Sequence, residues 1–329
     1  MQFSLARRRL VQLALAAGIS APAMAATPDE GEYLIDDVPR GELFQRFVVN
    51  AWEATNPPAN TTLAIPAGFN FPLDVRYDCT VNASRHCITD QSKTRSELVM
   101  FGVDINHYTK EDFSFSQLRA QGVYFVQIKT TQGTTYRDRL FPSFWSRAGQ
   151  LQGPGKVYRG PYHFLTASGS GKDQADWFLT NLEKAGGLQH DDMAPGVDLE
   201  WDVYQNTGNL DHWKNKGAQY IVDTAMGCLE RIEQKTGRTP ILYTGKSWFG
   251  PDTIPIARFK EFAKYPLWVF DYDPRRKIVE KPLLPDNKIQ AALWQYTSLA
   301  RVPVCYSGGL DASIFYGDEA SFQKTFGIA

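Results

Sequence analysis

From about residue 98 to residue 329, short apolar runs alternate with stretches of helical periodicity, the pattern of parallel strands joined by crossover helices. The apolar runs predict eight strands, at 99–105, 123–129, 157–164, 194–200, 239–244, 266–271, 291–296 and 310–315. Between them, helical spacing predicts Phe115–Ala120, Asp138–Gln150, Lys172–Lys184 and a long helix from His212 to Thr236 closed by Gly237. After the fifth strand the connections shorten, and only Ala257–Lys264 and a final stretch, Asp318–Phe326, keep the helical pattern. The expected fold is therefore α/β: an irregular TIM-like (β/α)5(β)3 barrel over residues 98–329, preceded by a small N-terminal extension.

The first 97 residues read differently. Arg7-Arg8-Arg9 runs into the apolar stretch Leu10–Ile19 and then into Ala23-Met24-Ala25, the three parts of a secretory signal peptide cut after Ala25. The arginines suit a twin-arginine signal or an ordinary Sec signal with a basic start, and the sequence leaves both open. Residues 26–97 form the extension, with one amphipathic helix predicted over Gly41–Ala54. Its length makes it marginal as an independent domain, so packing against the barrel is expected.

Composition excludes several classes. The chain is 43% hydrophobic and 22% charged, as in ordinary globular proteins. Removing residues 1–25 deletes three arginines and no acid, taking the formal charge from -1 to -4, which does not suit a nucleic-acid surface. No run reaches the roughly 20 apolar residues of a transmembrane helix, so a soluble exported protein, expected as a monomer, follows. Four cysteines in an exported chain favour disulfides over metal binding. Cys79 and Cys87 close a short loop and are the favoured pair, whereas the sequence does not say whether Cys228 and Cys305 meet. The five histidines are scattered and no metal-ligand spacing occurs, so neither metal nor organic cofactor is expected.

The candidate chemistry lies in the acids. Ala194-Pro195-Gly196-Val197-Asp198-Leu199-Glu200-Trp201 sets two carboxylates two residues apart at the end of an apolar run, hence on one face of a strand. Held together and buried, they should split their pKa values and leave one protonated near neutrality, which suits acid-assisted cleavage of a glycosidic bond. An Asp-X-Glu alone more often caps a helix or solvates a loop. Asp104 and Asp311 strengthen the case because each also ends an apolar run. In a closed barrel, strand one neighbours strand eight, so Asp104 and Asp311 approach each other while Asp198 and Glu200 face them across the carboxyl-end mouth.

Phe101-Gly102-Val103-Asp104-Ile105-Asn106-His107-Tyr108, Gly160-Pro161-Tyr162-His163-Phe164, Val197-Asp198-Leu199-Glu200 and Leu293-Trp294-Gln295-Tyr296-Thr297 together resemble the family 25 glycoside hydrolases, lysozymes of the muramidase type. The resemblance spans residues 100 to about 317 and includes Ile128-Lys129 followed by a Gly133-Thr134-Thr135-Tyr136 turn. It implies cleavage of the β-1,4 bond between N-acetylmuramic acid and N-acetylglucosamine in peptidoglycan glycan strands. It further implies Glu200 as general acid and Asp198 as the residue that steadies the substrate's 2-acetamido group, with direct nucleophilic attack by Asp198 or Asp104 as the alternative. Asp104 and Asp311 would shape charge and hold sugar hydroxyls.

Aromatic side chains at the same barrel end are expected to stack on sugars: Tyr162, Tyr243, Trp294 and Tyr296, with Trp201 and Tyr272 behind them. His107 and His163 are read as loop-holding residues, and Lys129 as a candidate partner for a cleft acid. The chain departs from the family pattern at Lys129-Thr130-Thr131-Gln132-Gly133, where a glutamate is usual in place of Gln132, and at Leu310-Asp311-Ala312-Ser313, where an asparagine follows in relatives. Two other readings compete with a muramidase: a catalytically silent wall-binding protein, and a hydrolase of another N-acetylated glycan such as chitin.

Overall fold

A computed structural model describes residues 69–70, 99–203, 210–271 and, with breaks at 283, 287 and 303–304, residues 282–328. The predicted signal peptide, the 41–54 helix, the Cys79–Cys87 loop and Tyr272 lie outside the described residues.

The strands are β1 (Phe69–Asn70), β2 (Val99–Ile105), β3 (Val123–Gln132), β4 (Tyr136–Arg137), β5 (Tyr158–Phe164), β6 (Gly196–Leu199), β7 (Ile241–Gly245), β8 (Leu267–Phe270), β9 (Leu293–Val302) and β10 (Tyr306–Tyr316). Hydrogen bonding runs in the order β2, β3, β5, β6, β7, β8, β9, β10 and back to β2, closing an eight-stranded barrel. β4 pairs only with β3, and β1 lies parallel to β9 opposite Ala300 and Arg301. Seven barrel strands are parallel, but β10 runs antiparallel to both neighbours. The sequence pattern predicts a short eighth strand at 310–315 with Asp311 near its carboxyl end. The reversed strand is longer, begins at the mouth, and brings Asp311 there from the opposite direction.

β9 leaves β8 after Gln295, and β10 meets β2 only from Asp311 onward. Residues beyond those points pair with each other as a two-stranded ribbon past the barrel rim, carrying β1 on its edge. Tyr306 ties the ribbon to the loop after β2, its hydroxyl donating to the Tyr108 carbonyl at 3.3 Å.

The helices are α1 (Phe115–Ala120), α2 (Phe141–Gly149), α3 (Gly171–Lys184), α4 (Ala218–Thr236), α5 (Ile256–Phe259) and α6 (Glu319–Thr325). Their caps explain their limits. Ser170 Oγ accepts from the Asp173 amide at 3.1 Å and donates to its carboxylate at 2.7 Å, fixing the start of α3. α4 begins six residues later than the His212 start expected, because Asn215 and Gly217 take positive φ of 69° and 80°. It ends at Gly237, whose left-handed backbone lets its amide reach the Glu233 carbonyl at 2.8 Å. Gly171 lets α3 lie on α4, since a Cβ there would stand 1.9 Å from the Thr224 carbonyl oxygen.

Residues opposite one another in a ladder share a face. Asp311, Asp104, Gln127 and Gly160 follow one another around the barrel, as do Phe164, Asp198, Tyr243, Trp268 and Leu293, and Lys129, Tyr162 and Gly196. That set is the barrel interior. The alternate residues, such as Phe101, Val103, Ile128, Val197, Leu199, Leu242 and Val269, are buried on the outer face under the helices, which explains the continuous apolar runs in the sequence. At the amino end, α6 plugs the barrel: the Phe322 ring lies 5.1 Å from Phe125, 5.4 Å from Tyr158 and 5.3 Å from Phe315, all interior residues. Tyr158 donates to Glu319 at 2.6 Å and accepts from Gln323 at 2.6 Å, and burial with the Glu319 bond pushes its hydroxyl up to about 12.

Candidate active site

With the amino end plugged by aromatic rings, polar groups fill the interior toward the carboxyl ends of the parallel strands. Asp104 is the penultimate residue of β2 and lies opposite Asp311 in the ladder. Asp198 is the third residue of β6, between Phe164 and Tyr243. β6 ends at Leu199, one residue earlier than expected, so Glu200 stands immediately past the strand rather than within it. Asp104, Asp198 and Glu200 are buried, at 5%, 1% and 2% exposure, and Asp311 is half-buried. Buried carboxyls of this density are costly unless a protein holds them for chemistry or pairs them.

The interior face also holds the partners. Gln295, on β9, donates through Nε2 to Asp104 Oδ2 at 2.7 Å and accepts from the Tyr243 hydroxyl at 2.9 Å. Lys129 is buried with its ammonium 4.6 Å from the Phe164 ring centroid, and it donates to Gln132 Oε1 at 2.6 Å. The residue that replaces the family's usual glutamate is thus an acceptor for this buried cation.

Of the aromatic candidates, Tyr162 and Tyr243 lie on the interior face with Asp198. Trp294 sits opposite Val269 and Ile314 on the outer face, with its indole N–H donating to the Asp271 carbonyl at 3.0 Å. Tyr296 packs 6.1 Å from the Trp294 ring, its hydroxyl buried and its pKa raised well above the usual phenol range. Trp201 is nearly buried against Phe270 and Trp248. The ladder therefore unites Tyr162 and Tyr243 with the acids and sets Trp294 on the opposite side of the sheet.

Two further acids share the rim. Asp202 is buried, and its Oδ2 accepts from the Ala167 amide at 2.9 Å. Asp271 follows β8, and its amide donates to the Gln295 carbonyl at 3.1 Å. Both meet the strand-end criterion that singled out Asp104: Asp271 closes the apolar run Leu267–Phe270, and Asp202 continues the alternation of Asp198 and Glu200. Asp211 stands behind Asp202, accepting from the Asp202 and Trp213 amides at 3.1 Å each. Burial pushes its carboxyl up to about 6, against the pull of those two amides.

Both histidines make the bonds of positioning residues. The His107 amide donates to Asp138 Oδ2 at 2.7 Å, and its ring meets the Tyr136 hydroxyl at 2.8 Å. His163 Nδ1 meets Thr131 Oγ1 at 2.8 Å and its Nε2 faces Gln174 Oε1 at 3.3 Å. Cys228 and Cys305 are both free thiols, the first buried in α4 and the second half-buried at the β9–β10 turn. Among the described residues no helix is long and apolar enough to cross a membrane.

Carboxyls gathered at the carboxyl-end mouth of a (β/α) barrel are an arrangement that suits acid-assisted glycoside hydrolysis. The family model for glycosyl hydrolases family 25 matches residues 103–304, and the chain belongs to that family. It is 29% identical over 224 residues to Lysozyme M1 of Streptomyces globisporus, covering 67% of this chain and 68% of that protein. It is 32% identical over 154 residues to the N,O-diacetylmuramidase of a Chalaropsis species, covering 46% of this chain and 69% of that one. The lysozyme structure from Streptomyces coelicolor aligns with a TM-score of 0.58 at 25% identity, over 69% of this chain and 96% of that one. The chain is accordingly a glycoside hydrolase of the lysozyme type.

Proposed function

We propose that this protein is an exported enzyme that cuts the β-1,4 bond between N-acetylmuramic acid and N-acetylglucosamine in peptidoglycan, acting as a monomer. The observation that carries the reading is the gathering of Asp104, Asp198, Glu200 and Asp311 at one barrel mouth beside Tyr162 and Tyr243. The names of the lysozyme and muramidase relatives agree with it.

In this reading Glu200 is the general acid. Burial among like charges favours a proton on one carboxyl of the group. Glu200 passes that proton to the leaving glycosidic oxygen as the C1–O bond breaks. The acetamido carbonyl oxygen of the same sugar bonds to C1, and the Asp198 carboxylate accepts the acetamide N–H and stabilises the positive charge that forms there. Water then attacks C1 and gives its proton to the Glu200 carboxylate, the acetamide is released, and both carboxyls return to their starting states. Asp104 and Asp311 hold sugar hydroxyls, and the interior tyrosines contact the rings.

The test is release of reducing ends from purified peptidoglycan by wild type and Glu200→Gln. Loss of a general acid should cost about 10²–10⁴-fold in rate, and mass spectrometry should find muramic acid at the new reducing ends. Equal near-background rates would instead indicate a wall-binding protein, and faster digestion of chitin would reassign the polymer. Export with cleavage after Ala25 is checked by sequencing the N terminus of the secreted protein, and a Cys79–Cys87 disulfide by mass mapping of that material.

A further inference from the structure

We infer that Gln295 is a positioning residue for Asp104, and that Tyr243 serves the site by locking the Gln295 amide as well as by its place beside Asp198. The inference rests on the proposed hydrolase reading, since it concerns how that mouth is held.

Atom types decide the orientation. An ionised carboxylate only accepts hydrogen bonds, so the Gln295 group 2.7 Å from Asp104 Oδ2 must be the NH₂. The amide oxygen then faces Tyr243, whose hydroxyl must donate across the 2.9 Å separation. One proton direction therefore runs from β7 through β9 to β2, and none of the three groups can reverse without breaking a bond. Tyr243 and Gln295 are essentially inaccessible and Asp104 nearly so, so water cannot replace a lost link cheaply.

Two consequences follow. The N–H donor favours the ionised form of Asp104 and fixes which oxygen of its carboxyl remains for other partners. The Tyr243 proton points at the amide oxygen, which holds the amide in the orientation that serves Asp104. Gln295 follows Trp294, which lies opposite Val269 and Ile314 on the outer face, and alternation along β9 therefore aims Gln295 inward.

The experiment is a double-mutant cycle on the full secreted chain, with Gln295→Met, Tyr243→Phe and the double variant assayed for reducing ends released from peptidoglycan. Gln295→Met should lower kcat by about 10–100-fold with KM changed less than about threefold, the size seen when the partner of a functional ligand is removed. The acid limb of its kcat/KM profile should move to higher pH, because a carboxylate without its donor takes a proton more readily. Tyr243→Phe should move the same limb the same way by less, and should add almost nothing in the Gln295→Met background. A Gln295→Met enzyme within about twofold of wild type, with an unmoved limb, overturns the inference. So does a Tyr243→Phe penalty of equal size in both backgrounds, which would put that hydroxyl on the sugar alone. If Gln295→Met fails to fold, the limb of Tyr243→Phe decides by itself. Wild type inactive on every glycan would overturn the hydrolase reading, whereas active wild type with indifferent variants overturns only this inference.

Discussion

His163 should make the fold sensitive to acid in a measurable way. Its imidazole is wholly buried on β5, where burial, reinforced by the nearby Lys129 charge, pushes its pKa down to about 3 despite the bond to Gln174. The neutral tautomer is set by its neighbours: Gln174 Oε1 also receives the Thr166 amide at 2.9 Å, so His163 Nε2 must carry the hydrogen and Nδ1 must accept from Thr131. A histidine depressed in the folded state contributes stability that is complete above its unfolded pKa of 6.5 and is lost as pH falls toward 3. Between pH 7 and pH 5 the loss is about 2 kcal/mol, and at pH 4 about 3 kcal/mol. Asp211, raised to about 6, acts with the opposite sign: its folded form takes up a proton first, so acidification from pH 6 toward 4 favours the fold. The total curve therefore mixes both groups, and the measurement is a difference. Urea denaturation of wild type and His163→Asn is followed from pH 7.5 to 4.5. The neutral-pH advantage of wild type should shrink by about 2 kcal/mol at pH 5, about 4–8 °C in thermal midpoint for a domain of this size. Stability curves that stay parallel over that range would refute the burial argument.

Three further outcomes are expected. Phe322→Ala removes the ring that plugs the barrel floor between Phe125, Tyr158 and Phe315 and should cost about 3–5 kcal/mol by calorimetry, with the mouth chemistry unchanged below the lowered melting point. Gln132→Glu adds a negative charge beside the Lys129 ammonium on the barrel interior, so the acid limb of the activity profile should rise by roughly 0.5–1 unit. Asp211→Asn keeps the acceptor for the Asp202 and Trp213 amides and removes the titration near 6 that opposes His163, so the fall in stability from pH 6 to 4 should steepen toward the His163 slope alone.

The parallel strands were legible because each is buried on both faces and reads as an apolar run, and the carboxyl-end acids were legible because a charge ending such a run is unusual. The reversed β10 was not. Its first half, Tyr306-Ser307-Gly308-Gly309, has no apolar periodicity, and the turn before it lacks the Asn-Gly or Asp-Gly pair that marks a tight hairpin. The start of α4 was misjudged because Trp213 satisfies the helical pattern while the backbone at Asn215 and Gly217 breaks it. At the mouth, the sequence pattern places the acids at strand ends but gives no sign of the Gln295 bond to Asp104, because Gln295 is a neutral residue between two aromatics that draw the functional reading toward themselves. Side-chain direction along β9, rather than residue type, separates Gln295 from Trp294.

Because the last two barrel strands form a hairpin with no helix between them, the wall they raise over the mouth is held by its own ladder and by a few contacts to neighbouring loops, such as that of Tyr306. Pairs of residues can be gained or lost at its tip while the eight-strand closure below stays in register. β1 pairs with that ribbon at Ala300 and Arg301, so Phe69 and Asn70 meet each such change directly. Lengthening or shortening the ribbon would therefore reshape the rim of the mouth without disturbing the closure beneath it.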